Sequence, residues 1–175
     1  MDLLILVFLF LILIALVLFL AYTLFAMGAM VYGPVFVPSS GKKLQTMASL
    51  PKIRRRSRVI DLGSGDGSIL LAIAEKYRIP VEGVEINPIL IRRSRRRIAA
   101  AKMDSLITVR KQSFWSVDLS QYDVVFLYGT TYIMKRLEKK LLVEMRPGSQ
   151  LVSNYFQLPS LKPSKSVDQI HLYRF

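Results

Sequence analysis

The sequence of 175 residues has no cysteine and only one histidine, His171. A chain without cysteine cannot form a disulfide scaffold or a zinc finger, and it has no thiol nucleophile. A single histidine nearly excludes a Ser-His-Asp triad and a metal site built on histidines, so we predict no metal site. Acidic residues are also few, because 12 Asp and Glu stand against 25 Lys and Arg.

Charge is almost absent from the first forty residues. After Asp2, no charged residue occurs before Lys42, and the rest of the chain then holds all 25 Lys and Arg with 11 acids, a formal charge of +14. This uneven division excludes a simple soluble globular chain. It also excludes a disordered polycation, because the charged part contains apolar runs dense enough to form a core.

An uncharged apolar run of 24 residues extends from Leu3 to Ala26. As a helix it would be about 36 Å long at about 1.5 Å per residue, which is enough to cross a hydrocarbon core of about 30 Å. We therefore predict a single-pass transmembrane anchor over residues 1–30. A cleaved signal peptide remains the alternative, because Ala26-Met27-Gly28 resembles a cleavage site, although no positive charge precedes the run.

Basic residues follow the apolar run, beginning with Lys42 and Lys43. By the positive-inside rule, we expect the N-terminus outside and the rest of the chain on the cytoplasmic side of the membrane. Residues 31–57 are predicted to form a proline-containing connector and a short helix, and residues 58–175 are predicted to form the folded domain.

The charged part alternates apolar strands with amphipathic helices. This alternation predicts an α/β fold with a parallel, doubly wound sheet of about six strands. The predicted strands are residues 58–62, 81–86, 107–110, 122–128, 150–156 and 169–175, and the predicted helices are residues 40–50, 68–77, 88–101 and 134–146.

A glycine-rich segment, Asp61-Leu62-Gly63-Ser64-Gly65-Asp66-Gly67-Ser68, follows the first predicted strand and precedes a helix. Glycines there let the backbone adopt positive φ and approach a ligand closely. A dinucleotide site requires G-x-G-x-x-G with a pyrophosphate at the helix N-terminus, whereas position 68 is serine here. The Asp66 carboxylate would also repel a pyrophosphate, but it suits a ligand with an ammonium and a sulfonium, such as S-adenosylmethionine.

A further carboxylate, Glu85, is predicted at the end of the second strand, 24 residues after Asp61. In that position it can accept hydrogen bonds from both hydroxyls of a ribose. We therefore favour S-adenosylmethionine as the ligand of the loop. A tight strand-to-helix turn with no ligand is the alternative, but it leaves Asp61, Asp66 and Glu85 without a role in an otherwise basic chain.

Several segments resemble one family of enzymes. The run D-L-G-S-G-D-G followed by V-E-I-N-P is similar to motif I of class I S-adenosylmethionine-dependent methyltransferases and its successor. Across residues 31–175 the chain resembles, more narrowly, the membrane-anchored lysine methyltransferases that modify the c-subunit of mitochondrial ATP synthase and the adenine nucleotide translocase, together with their prokaryotic relatives. The segments that carry this narrower resemblance are VPSS at 37–40, EINP at 85–88, YDVVFLY at 122–128 and VSNYFQLP at 152–159.

The resemblance implies a Rossmann-like class I methyltransferase sheet over residues 58–175 and S-adenosyl-L-methionine as the cofactor. The family tends to have an acid near the adenine after the third strand, where this chain has Gln112-Ser113-Phe114-Trp115, and Ser113 is expected to take that role. The family also favours a proline shortly after the fourth-strand tyrosine, where this chain has Gly-Thr-Thr, so the choice of substrate stays open. The cofactor-binding residues implied are Asp61, Gly63, Ser64, Gly65, Asp66, Gly67, Glu85, Asn87, Ser113 and Phe114.

Methyl transfer to an amine requires a neutral nucleophile, whereas the ordinary pKa of lysine is about 10.4. A pocket of low dielectric lowers that pKa. Tyr128, at the carboxyl end of the predicted fourth strand, lies where α/β sheets bind ligands, and we predict that it orients the amine. A plain core aromatic is the alternative for Tyr128, and Asn154 in the fifth strand is a second catalytic candidate.

These features predict a membrane-tethered methyltransferase, in first place a protein-lysine N-methyltransferase acting on a membrane protein. The alternatives are a small-molecule or lipid methyltransferase and a non-catalytic, membrane-bound basic module. Arginines at positions 92, 93, 95, 96 and 97 crowd one predicted helix, where like charges repel. We expect an anionic lipid surface to compensate such basic clusters, in preference to nucleic acid, and a solvated face without a partner is the alternative. The oligomeric state is not predicted.

Overall fold

The structure is a computed structural model of the chain, and it describes residues 3–31 and 41–175. The chain divides into two compact units, Met1–Val35 and Phe36–Phe175. The predicted connector, residues 32–40, lies outside the described residues.

The N-terminal unit is one helix, α1 (Leu3–Val31). Its segment Ile5–Thr23 has a mean hydropathy of 3.3, and none of that segment is buried. The Thr23 hydroxyl donates to the Leu20 carbonyl at 2.8 Å, so this polar side chain is satisfied within the helix. By length and composition α1 is a candidate membrane span, and signal sequences share these properties.

The second unit alternates helices and strands as expected. The helices are α2 (Gly41–Ser49), α3 (Ser68–Tyr77), α4 (Pro88–Ala100) and α5 (Thr131–Glu144). The strands are β1 (Val59–Leu62), β2 (Val81–Glu85), β3 (Ile107–Lys111), β4 (Val124–Tyr128), β5 (Gln150–Asn154), β6 (Lys165–Val167) and β7 (Ile170–Arg174).

The strands form one mixed sheet with the order β3-β2-β1-β4-β5-β7-β6. Strands β1 to β5 pair in parallel, whereas β7 lies antiparallel to both β5 and β6. The prediction of an α/β sheet is confirmed, but the all-parallel pairing and the count of about six strands are wrong. The strand absent from the prediction is β6, which has only three residues and no buried side chain.

The antiparallel edge follows from the connection between β6 and β7. Asp168 and Gln169 join the two strands, with φ of 49° and 63°. Positive φ at both residues of a two-residue loop is the geometry of a tight hairpin, which makes the neighbouring strands antiparallel. The dipeptide Asp-Gln lacks the glycine that usually marks such a turn, so the sequence pattern carries no signal for it.

The apolar core lies on both faces of the sheet. In β4, Val124 and Phe126 pack into the cluster that includes α3 and α4, and Val125 and Leu127 pack into the cluster that includes α5. Burial on both faces explains why β4 is a continuous apolar run, as predicted. The strand order reverses at β1, which lies between β2 and β4, so a crevice is expected at the carboxyl ends of these strands.

Candidate active site

The glycine-rich loop joins β1 to α3 in the crevice at that reversal. The amides of Gly63 and Ser64 both donate to the Val84 carbonyl at 2.9 Å, which fixes the loop to β2. Gly63, Gly65 and Gly67 have φ of 78°, 54° and 78°. These left-handed conformations explain why glycine occupies each of the three positions.

Helix α4 packs directly against this loop. A Cβ atom added at Gly67 would overlap the hydroxyl of Ser94, which is fully buried on α4. The helix is in turn fixed at its start, because Asn87 Oδ1 accepts a hydrogen bond from the Ile89 amide at 2.9 Å. Asn87, a predicted cofactor residue, therefore caps α4 next to the loop.

Glu85 holds the loop to the end of β2. Its buried carboxylate accepts hydrogen bonds from three backbone amides, those of Gly65 at 3.0 Å, Ile86 at 2.8 Å and Asn87 at 2.9 Å. Both oxygens of the carboxylate are thus hydrogen-bonded within the fold. Glu85 thus lies at the strand end where the sequence pattern places it, with its charge satisfied by the main chain.

Asp66 has a partner that no local sequence pattern indicates. Its buried carboxylate forms an ion pair with Arg97 of α4 at 2.5 Å, and Arg93 lies 3.9 Å away. Arg97 also donates to the Asp66 carbonyl at 3.1 Å and to the Ser68 hydroxyl at 2.8 Å. Arg97 of α4 thus partly compensates the Asp66 charge within the fold, and the role of Asp66 in cofactor binding stays a prediction.

The same contacts change the interpretation of the arginine cluster. Arg93 and Arg97 face Asp66, and Arg95 donates to the Val109 carbonyl of β3 at 3.1 Å. Arg97 thus has an internal partner for its charge, Arg93 approaches the same carboxylate, and Arg95 is hydrogen-bonded to the main chain. Arg92 and Arg96 remain exposed on α4.

Asp61 is the third carboxyl group at the loop, and it is buried in β1. Burial, and then the negative charges of Glu85 and Asp66, raise the pKa of Asp61 to about 8. The carboxyl group is therefore mainly protonated at neutral pH, and a cation bound beside it would favour its ionised form. Among residues 3–31 and 41–175, no group of three His, Asp or Glu side chains could hold a metal ion.

Ser113 and Phe114 follow β3 at the same edge of the sheet. Ser113 Oγ accepts from the Trp115 amide at 3.4 Å and begins a 3₁₀ turn, Phe114–Ser116. The Phe114 and Trp115 rings are 4.7 Å apart, and the Arg136 guanidinium lies 4.2 Å from the centre of the Trp115 ring. Because the Gln112 amide donates to the Glu85 carbonyl at 3.1 Å, this turn starts beside the end of β2.

The two predicted catalytic residues lie side by side at the ends of β4 and β5. Tyr128 and Asn154 are partners in the parallel register of these strands. Phe156, which lies in the VSNYFQLP segment but is not among the predicted site residues, has its ring 6.3 Å from that of Tyr128 and 4.9 Å from that of Tyr155. The Lys43 ammonium lies 5.8 Å from the centre of the Tyr155 ring, which shows that this aromatic group can face a cation.

Known proteins are similar in sequence to this chain. The family described as ANTKMT methyltransferase domain matches residues 61–165, which is more than half of the chain. The ATP synthase C-subunit lysine N-methyltransferase of Mus musculus is 32% identical over 134 residues, covering 77% of this chain and 53% of the mouse protein. A protein-lysine N-methyltransferase of Saccharolobus islandicus is 30% identical over 133 residues, covering 75% of this chain and 83% of the other. The chain therefore belongs to the family of ANTKMT methyltransferase domains, as the resemblance implied, and its match spans about half the length of the mouse relative.

Solved structures share the fold. An RNA methyltransferase from Salinibacter ruber, in complex with S-adenosyl-L-homocysteine, has a TM-score of 0.73 and 28% identity, covering 79% of this chain and 92% of that chain. A methyltransferase from Geobacter sulfurreducens in the same kind of complex has a TM-score of 0.59 and 22% identity, covering 73% and 54%. The fold of the second unit is therefore that of S-adenosylmethionine-dependent methyltransferases.

The Asp66–Arg97 pair leads to a stability prediction. Arg97→Gln leaves the buried Asp66 carboxylate without its main partner, which should lower the free energy of unfolding by about 1–3 kcal/mol. Arg96→Gln, one position earlier on the exposed side of α4, should change it by less than about 0.5 kcal/mol. Urea unfolding of the full chain in a neutral detergent measures both. Equal losses of unfolding free energy in the two variants would contradict a specific stabilisation of the glycine loop by the Asp66–Arg97 pair.

Asp61 leads to a pH prediction. Because its folded pKa of about 8 lies above the ordinary value of 3.8, the folded state binds the extra proton between these values. Its contribution to stability is thus complete below pH 4 and is lost as pH rises towards 8, by up to about 1.4 kcal/mol per pH unit. Asp61→Asn should flatten the stability of the full chain between pH 5 and 8, measured by urea unfolding. The exposed control Asp104→Asn should keep the wild-type slope, and an unchanged slope in Asp61→Asn would refute the assignment.

Proposed function

We propose that the protein is an S-adenosylmethionine-dependent methyltransferase, and that it transfers the methyl group to a lysine of a membrane protein. The observation that carries the proposal is the glycine loop at the strand reversal, with Asp61 and Glu85 beside it in a chain of this family. When bound, the cofactor supplies a methyl group on a positively charged sulfur. The residues of this chain bind the cofactor and orient the acceptor amine.

The loop fits such a cofactor on three counts. Space is open at Gly63, where an added Cβ would meet no atom within 4 Å. The Asp61 carboxyl group holds a proton that a cationic ligand can displace. The buried Ser64 hydroxyl has no hydrogen-bond partner within the part of the chain that the structure describes. We assign the methionine end of the cofactor to the loop from Asp61 to Gly67, the ribose to Glu85 and Asn87, and the adenine to Ser113 and Phe114.

The acceptor amine is assigned to the carboxyl ends of β4 and β5. The Tyr128 hydroxyl can accept a hydrogen bond from the amine and direct its lone pair towards the loop, while Asn154 offers a second polar group in the adjacent position. The rings of Tyr128, Tyr155 and Phe156 surround this place with apolar surface, which favours the neutral form of a lysine. Proton loss to solvent then precedes an in-line displacement.

A membrane-protein substrate is proposed from the relatives. Proteins similar to this chain are named lysine N-methyltransferases of the ATP synthase C-subunit and of the adenine nucleotide translocase. In the proposed arrangement, α1 anchors the chain through residues 1–30 with the N-terminus outside, residues 31–57 connect, and residues 58–175 form the methyltransferase domain on the cytoplasmic side. The anchor raises the local concentration of substrates in the same bilayer, and basic clusters contact anionic lipid.

Methylation of RNA is a second candidate function. One observation favours it, namely that an RNA methyltransferase shares 28% identity with this chain over most of both proteins. Against it, the relatives with a stated lysine activity reach similar identity. The two candidates differ in where the transferred methyl group is found.

Labelled cofactor tests the function. The full chain is incubated with membranes, total RNA and methyl-labelled S-adenosylmethionine, and the products are separated into protein, lipid and RNA. We expect label on lysine in a protein band, and we expect Gly65→Arg to abolish it because a large side chain fills the loop. Label in RNA or in the lipid extract would overturn lysine transfer. Absence of cofactor binding in calorimetry, with the chain folded, would overturn the methyltransferase assignment.

Tyr128 is tested by removing only its hydroxyl group. Tyr128→Phe should lower kcat by about 10–100-fold because the amine loses its orientation, while cofactor affinity stays within about twofold. The matched control is Tyr132→Phe, since Tyr132 is 95% exposed on α5 and should keep wild-type kinetics. Steady-state methylation rates and cofactor titration measure the two effects. A Tyr128→Phe variant with wild-type kcat would make Tyr128 a packing residue.

A further inference from the structure

A pocket lies at the opposite edge of the sheet from the glycine loop. It has a volume of about 630 Å³, and its lining includes Gln150 at the start of β5 and Arg174 at the end of β7. Because β7 runs antiparallel to β5, both residues lie at the amino-terminal edge of the parallel strands. The proposed methyl transfer uses none of these residues.

The pocket is strongly basic. Four of its lining side chains are cationic, and none of them forms an ion pair within residues 3–31 and 41–175; they are Lys52, Arg54, Arg56 and Arg174. The acidic side chain in the lining, Asp123, is already compensated. Its carboxylate forms an ion pair with Arg146 at 2.6 Å and accepts from the Arg58 amide at 2.7 Å. The pocket therefore has a surplus of positive charge.

The backbone that carries three of these cations is held in place. The Gln150 side chain accepts from the Lys52 amide at 2.9 Å and donates to the Lys52 carbonyl at 3.1 Å. The Arg54 amide donates to the Ser57 hydroxyl at 3.0 Å, and the Ser57 amide donates to the Arg54 carbonyl at 2.9 Å. The segment from Lys52 to Ser57 is thus tied to β5 at one end and closed by a turn at the other. A binding site with a fixed backbone loses less entropy when it takes up a ligand.

We propose that this pocket binds a phosphate-bearing anion, the headgroup of an anionic phospholipid. Guanidinium groups match phosphate oxygens in paired hydrogen bonds, and a concave site concentrates their field. A pocket of this volume suits a small polar headgroup, and the single aromatic side chain among its described lining residues, Phe175, is too little to stack successive nucleic-acid bases. Seven basic residues between positions 42 and 58 follow an apolar helix in the sequence, a pattern typical of anionic-lipid binding.

The inference rests on the membrane part of the proposed function and not on its chemistry. A headgroup in the pocket would turn the amino-terminal edge of the sheet towards lipid. The carboxyl-terminal edge, with Tyr128 and the glycine loop, would then remain open to lysines outside the bilayer. The pocket would thus orient the domain, whereas the anchor would only keep it near the membrane.

Short-chain lipids test the proposal on the full chain in a neutral detergent. Dihexanoyl phosphatidylglycerol is titrated by calorimetry against wild type and against Arg54→Gln/Arg56→Gln. We expect the double variant to bind at least tenfold more weakly, and Lys135→Gln/Lys139→Gln, which removes the same charge from exposed positions on α5, to stay within twofold. Lys52→Gln/Arg174→Gln removes the other two cations of the pocket, one of them on β7, and should show the same loss, which protects the test against misfolding of one variant.

Several outcomes would overturn the proposal. Two of them concern the lipid itself: wild type does not bind phosphatidylglycerol, or the α5 control loses as much affinity for it as the pocket variants do. The other two concern different ligands: inorganic phosphate binds as tightly as the lipid, or a single-stranded oligonucleotide binds more tightly than the lipid through the same arginines. Cofactor affinity is measured in every variant. If wild type does not bind the cofactor, the methyltransferase assignment is contradicted, but the lipid proposal is not, since the pocket lies at the other edge of the sheet.

Discussion

Three buried carboxyl groups meet at one reversal of strand order, and the site depends on how each is compensated. Glu85 accepts hydrogen bonds from three backbone amides, and Asp66 forms an ion pair with the guanidinium of Arg97. For Asp61, burial beside two negative groups raises the pKa to about 8, so a proton occupies it. The first two compensations are built into the fold and lock the glycine loop between β2 and α4. The proton on Asp61, in contrast, can be exchanged for a ligand without unfolding the loop.

This division of roles explains why a loop with three acids can be stable without ligand and still favour a cation. If all three carboxylates were ionised and free, their mutual repulsion in a buried place would oppose folding. If all three were paired with arginines, nothing would attract a positively charged methyl donor. The contact between α4 and the loop, through Arg97 and through Ser94 against Gly67, keeps the first two charges satisfied and leaves the third available.

The sequence predicts most of the second unit because its signals are local. A buried strand such as β4 is a continuous apolar run, and a strand, a glycine turn and a helix indicate the loop at residues 61–68. Contacts between distant segments leave no such signal, and 31 positions separate Asp66 from Arg97. In the sequence the arginines of α4 look like one cluster in need of an external partner, although Arg93 and Arg97, one helical turn apart, face the same carboxylate. Strand β6 is not predicted because its three residues are too few to show an alternation of apolar and polar side chains.

The charge of the second unit is separated between the two edges of its sheet. The carboxyl-terminal edge holds the acidic loop residues, and the amino-terminal edge holds the four cations of the pocket near Gln150. Parallel strands allow this separation, because every loop that follows β1, β2, β4 or β5 lies at one edge and every segment that precedes them lies at the other. This arrangement keeps the four cations of the pocket away from the place proposed for a cationic cofactor. On α4, Arg97 pairs with Asp66 and Arg93 lies 3.9 Å from the same carboxylate, so part of the positive charge near that edge is compensated there.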